Sequence, residues 1–177
     1  AQAIWELRRL VRWIRSQGSP DVGVYGVSLG GYTSALLAGI EPGLACAIAG
    51  MPPVCFPTLL RANASQRLIG AAERAGLDWD AAAEVMRVVS PVAFAPKLPH
   101  GRRYVFAGRA DRLVPASQVL ELWEHWGQPR LHWFGGSHIS FVWEPSLARV
   151  IHGALHESGR LWVPPPRVSN RPPRRKS

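Results

Sequence analysis

Three short stretches of the 177-residue chain carry residue types that together can break an acyl bond. The first is "GVSLGG", Gly26 to Gly31, with Ser28 at its centre. A serine hydroxyl is a weak nucleophile until a base takes its proton. The pattern Gly-x-Ser-x-Gly fits a sharp strand-to-helix turn, which exposes the serine oxygen and aims the next helix N-terminus at developing negative charge. Glycines at 26 and 30 are expected to remove Cβ atoms that would collide in such a turn. The pattern arises by chance often enough that its context must decide. Here an apolar run, "VGVYGV", precedes it and an Ala/Leu-rich run follows.

The second stretch is "GRADRLVP", with Asp111, and the third is "GGSHISF", with His138. A buried carboxylate can hold a histidine in its useful tautomer and stabilise the imidazolium formed during reaction. Taken alone, an aspartate ahead of a Pro-led helix reads as a turn or capping residue. Other candidates fit less well. His132 should lie inside a strand rather than beyond its end. Asp21 precedes its strand, and Asp78 and Asp80 fall in a helical stretch.

The elements that would position these residues follow from periodicity. Residues 3 to 16 read as an amphipathic helix with Ile4, Leu7, Val11 and Ile14 on one face, ended by Gly18 and Pro20. Residues 22 to 27 read as a doubly buried strand, 30 to 38 as a helix, and 44 to 49 as the next strand. Residues 51 to 101 show no strand alternation. They contain prolines and two helical stretches, about 65 to 76 and 80 to 89, with Asp80 as the expected N-cap of the second. "RRYVFAG" is a strand at 103 to 107 and Pro115 opens a helix carrying Leu120, Trp123 and Trp126. "RLHWFGG" is a further strand, and 145 to 156 the last helix. This alternation predicts an α/β fold, a mainly parallel sheet with helices on both faces and a helical insertion over one edge. Ligands in such sheets bind beyond the carboxyl ends of the strands. Ser28, Asp111 and His138 each follow a strand there, in the chain order associated with this serine turn.

On those three motifs the chain resembles the carboxyl-terminal part of an α/β-hydrolase-fold protein, from about residue 3 to residue 156. The resemblance implies that Ser28 is the nucleophile, Asp111 the acid and His138 the base. It implies that the backbone N–H of Leu29 is one oxyanion donor, and that 51–101 takes the place of the family's lid or cap. The family normally carries about four more strands before the serine turn, and a loop after the third supplies a second oxyanion donor. Here that strand begins at residue 22 and the chain opens on Ala1 rather than Met. The expectation is therefore a piece of a longer chain, poorly active alone. The activity expected is a serine hydrolase acting on an ester-type acyl bond of a small molecule, without cofactor or metal. The alternatives are an acyltransferase on the same fold and a non-catalytic, truncated family member. Oligomeric state is left open.

Composition narrows the remaining classes. The net charge of +9 suggests nucleic acid, but Arg167, Arg171, Arg174, Arg175 and Lys176 supply five of the nine charges from the last fifteen residues. That Pro-rich tail, 163–177, is expected to be disordered beside a hydrolase domain over 1–162, and no nucleic acid is expected as a partner. Cys46 and Cys55 form no CxxC, which suits idle thiols in a reducing compartment. His152 and His156 lack an HExxH context and read as helix surface. The longest apolar run, "LACAIAGMPPVCF", is too short to span a bilayer, and no signal peptide is visible at the start. A cytoplasmic location is the expectation.

Overall fold

Four short strands form one parallel sheet whose spatial order equals its chain order. In the computed structural model, which describes residues 2–19 and 21–158, these are β1 (Val24–Val27), β2 (Ala47–Gly50), β3 (Arg103–Gly108) and β4 (Arg130–Phe134). The helices are α1 (Gln2–Ser16), α2 (Leu29–Ile40), α3 (Phe56–Asn63), α4 (Gln66–Arg74), α5 (Trp79–Met86), α6 (Ala116–His125) and α7 (Pro145–Glu157). The tail at 163–177 lies outside the described residues. The expected architecture is observed: a parallel sheet, helices on both faces, and a helical segment between β2 and β3.

Side-chain alternation along the strands builds two cores. Ala47 and Ala49 of β2 and Val105 and Ala107 of β3 pack with Leu37 and Ala38 of α2 and with Val119 and Leu122 of α6. The opposite face sets Ile48, Tyr104, Phe106 and Phe134 against Leu147 and Ala154 of α7. Small residues set the closest approach. A Cβ on Gly31 would lie 2.4 Å from the Gly50 carbonyl oxygen, so only glycine lets the first turn of α2 rest on β2. At the amino end, Glu41 is a buried carboxylate tying α1 to the end of α2. It accepts from Arg8 Nε at 2.8 Å and Arg15 Nη1 at 3.0 Å.

β1 pairs with β2 alone, so its outer edge has no strand partner among the described residues. Tyr25 on that strand is 48% exposed, so the double burial expected for 22–27 is not seen. With β1 at the sheet edge, one flank of that side chain lacks a covering neighbour.

The segment between β2 and β3 holds three helices rather than two. α3 begins Phe56-Pro57, and Pro57 falls at its first positions, where no backbone N–H is needed. The N-cap of α5 is Asp78, not Asp80. Asp78 Oδ1 accepts from the N–H groups of Asp80 and Ala81 at 2.9 and 3.1 Å, and Asp80 already lies in the first turn.

Gln118 of α6 anchors the start of this segment. Its Oε1 accepts from the N–H groups of Val54 and Cys55 at 2.8 and 3.0 Å, and its Nε2 donates to the Cys55 carbonyl at 3.1 Å. Ser90 Oγ donates to the Val54 carbonyl at 2.7 Å. Gln118 and Ser90 are both buried. Gln118→Leu would strand the N–H groups of Val54 and Cys55, while the Cys55 carbonyl keeps the Leu59 N–H at 3.0 Å, and we expect it to lower unfolding stability by about 3 kcal/mol in urea titrations. A loss below about 1 kcal/mol would mean that water replaces the amide.

Candidate active site

Ser28 sits alone between the end of β1 and the start of α2, so strand becomes helix within one residue. Its backbone takes φ 57° and ψ −120°, a region that side-chain-bearing residues rarely adopt. The surrounding hydrogen bonds hold it there. Ser28 N–H donates to the Gly50 carbonyl at 2.8 Å, and its own carbonyl accepts from Tyr32 N–H at 2.9 Å. The side chain caps nothing, so the hydroxyl is not consumed by the helix start. Leu29 is the first residue of α2, and the first N–H groups of a helix have no partner within it.

The glycines around Ser28 have unequal duties. A Cβ on Gly26 would lie 2.2 Å from the Gly30 carbonyl oxygen, so the turn closes only over glycine. A Cβ on Gly30 meets open space. Gly30 was expected to be sterically required. Its backbone is instead what crowds Gly26, and the second enforced glycine is Gly31.

Asp111 follows β3 and His138 follows β4, and the two meet. Asp111 Oδ2 lies 2.8 Å from His138 Nδ1, with the carboxylate side chain 4% exposed and the imidazole 15%. The other oxygen, Oδ1, accepts from the N–H groups of Leu113 and Val114 at 2.9 and 3.0 Å. Asp111 therefore does both things the sequence allowed: it caps its own turn and it grips a histidine. A carboxylate on Nδ1 leaves Nε2 free to act as the base atom. Among the described residues no hydrogen bond joins Ser28 to His138. Such contacts are often long before substrate arrives.

Two strand exits must lie close for this pair to form, and glycines permit it. A Cβ on Gly108 would lie 2.5 Å from the Gly136 carbonyl oxygen, and one on Gly136 would lie 2.1 Å from Ser140 Oγ. Arg109 N–H donates to the Phe134 carbonyl at 2.9 Å and Ala110 N–H to the Gly136 carbonyl at 3.0 Å. Ser140 Oγ accepts from Ser137 N–H at 2.8 Å, folding the histidine loop. Sequence reading passed over Gly108, Gly136 and Ser140. The available signal was a glycine at each strand exit.

The competing residues stand elsewhere. His132 lies within β4, with Nε2 2.8 Å from Ser146 Oγ of α7. His152 and His156 lie exposed on α7 with stacked rings 6.5 Å apart. Cys46 and Cys55 are both free, and burial pushes the Cys46 thiol up. Among the described residues no group of three or more His, Cys, Asp or Glu side chains could hold a metal ion, and no helix is long and apolar enough to cross a membrane.

The fold that carries these residues is shared with known proteins. A family model described as "Alpha/beta hydrolase domain containing 18" matches residues 1–87. An esterase of Pyrococcus furiosus, Pf2001, superposes with a TM-score of 0.60 at 18% identity, over 89% of this chain and 62% of that one. An acetyl xylan esterase from Paenibacillus sp. R4 gives 0.64 at 18% identity, over 86% and 52%. The chain has the α/β-hydrolase fold. Another protein of this fold, an acylaminoacyl peptidase of Pyrococcus horikoshii, matches at 0.63 and 16% identity over 84% of this chain and 26% of that one. In sequence, the chain is 41% identical over 173 residues to an uncharacterized protein of Mycobacterium tuberculosis, Rv2627c, covering 93% of this chain and 40% of the relative. The chain thus spans about two fifths of the length of the curated relatives it matches.

Proposed function

We propose that this α/β-hydrolase chain carries the triad of a serine hydrolase that cleaves an ester-type acyl bond. The observation that carries the reading is the Asp111–His138 contact at 2.8 Å, at the same sheet edge as a strained serine between strand and helix. Ser28 Oγ attacks the substrate carbonyl while His138 Nε2 takes its proton. Leu29 N–H stabilises the oxyanion. Collapse of the tetrahedral intermediate breaks the bond to the leaving group, which receives the proton back from His138. Water, deprotonated by the same nitrogen, then releases the acid and restores Ser28. Asp111 keeps Nδ1–H fixed and stabilises the transient imidazolium. The helices between β2 and β3 act as a cap over this edge. Esterases and a peptidase among the similar structures are consistent with acyl-transfer chemistry.

In this reading Leu29 N–H is the one oxyanion donor among the described residues. The open outer edge of β1 and the greater length of the curated relatives support a second donor from a preceding segment of a longer protein. The longer protein should hydrolyse short aryl esters with a burst of leaving group as the acyl-enzyme accumulates. The 177-residue chain alone should be slower by about 10²-fold or more, the usual cost of one missing oxyanion donor. Equal rates would refute the missing-donor account. No burst and no turnover in the longer protein would refute the hydrolase itself.

A further inference from the structure

Beside the serine turn lies a cleft of about 490 Å³ that the chemistry above does not use. One wall is a stripe along α2, Leu29, Thr33, Leu36 and Ile40, spaced so that all four face one way. α1 supplies the second wall through Ile4 and Trp5, and the turns after α5 supply the third through Val88, Val89 and Phe94. The cleft starts at Leu29, the residue after Ser28. Eleven residues of helix carry it roughly 16 Å away from the serine. Along this stripe exposure falls from 61% at Leu29 to 7% at Leu36.

Its hydroxyl protons and the Arg8 Nε–H are already donated within the protein. Tyr32 hydroxyl donates to the Val89 carbonyl at 2.7 Å, Thr33 Oγ1 to the Leu29 carbonyl at 2.7 Å, and Arg8 Nε is held by Glu41 at 2.8 Å. Apart from the terminal N–H groups of Arg8 at the α1 end, the lining is mostly apolar, so a polar ligand lying along α2 would lose more hydration than it regains. A long, flexible apolar group would gain burial without such a loss. Apolar clefts with few polar groups are the usual form of small-molecule sites.

We infer that this cleft binds the alkyl chain of a medium-length acyl group, with the acyl carbonyl at Ser28 and the tail lying along α2. The inference rests on the serine-hydrolase reading for the placement of the carbonyl. Each methylene that enters should raise kcat/KM by up to about fourfold until the cleft is filled.

The test uses the full-length protein with p-nitrophenyl acetate, hexanoate and decanoate. A rise in kcat/KM along the series is expected, and Val88→Trp and Thr33→Phe should each cut the decanoate-to-acetate ratio at least tenfold. Val88 is 72% exposed, so its replacement carries little risk to folding. A flat or falling series, in protein whose Ser28 reacts with a fluorophosphonate, would overturn the inference and leave the hydrolase reading standing. So would a ratio that neither variant moves. Should Ser28 fail to react, binding of dansyl-undecanoic acid decides: saturable micromolar binding lost in Val88→Trp supports the cleft, and its absence overturns it.

Discussion

Replacing Ser28 by alanine in the full-length protein should lower kcat for ester hydrolysis by about 10⁴-fold or more and leave the fold unchanged. The first half follows from losing the only nucleophile in the proposed mechanism. The second follows from the local geometry. Every hydrogen bond that holds residue 28 in place is made by its backbone, to Gly50 and from Tyr32, and the hydroxyl caps nothing. Alanine meets the same disfavoured φ of 57° as serine, so the backbone strain is common to both. Thermal unfolding of the two proteins should coincide within a few degrees. Retained activity in Ser28→Ala would remove the serine from the chemistry.

The second large effect is expected at Asp111, where two substitutions separate two duties. In Asp111→Asn, the side-chain oxygen can still accept from Leu113 and Val114, so the turn survives. The atom facing His138 Nδ1 becomes an NH₂ donor. His138 must then accept at Nδ1 and carry its proton on Nε2, the wrong tautomer for a base acting on Ser28. The expected loss in kcat is about 10⁴-fold, with stability nearly unchanged. Asp111→Ala should lose a similar factor in kcat and, in addition, about 1 to 2 kcal/mol of stability, because the two turn N–H groups lose their acceptor. Steady-state kinetics and denaturant titration on both variants check this. If Asn keeps near-full kcat, Asp111 serves only its turn.

The sheet and the positions of Ser28, Asp111 and His138 at strand ends were legible because they depend on local patterns. An apolar run meeting a glycine and then a helical period marks a strand-to-helix turn wherever it occurs. Features that depend on distant partners were not legible. Gln118 reads as a surface residue of an amphipathic helix, yet its partners are backbone groups of Val54 and Cys55, over 60 positions away. Gly30 and Gly31 are adjacent and identical in sequence. Only the approach of α2 to Gly50 decides which of them must be glycine. Asp80 was expected to cap α5, but Asp78, of the same type, takes the place because its backbone is extended at φ −97° and ψ 114° while Asp80 is already helical. α3 was hidden because Pro57 breaks a helix when it falls inside one and starts a helix when it falls first. Tyr25 reads as buried by strand pattern, but its burial depends on what lies beside β1.

The central claim is that Ser28 is a nucleophile activated by the Asp111–His138 pair. The most direct measurement is reaction of the folded, full-length protein with a fluorophosphonate, followed by mass spectrometry of its peptides. The account predicts one covalent adduct, on the peptide containing Ser28, and its disappearance in Asp111→Asn at matched times. A folded protein that stays unlabelled, or carries its adduct on another residue, would contradict the account.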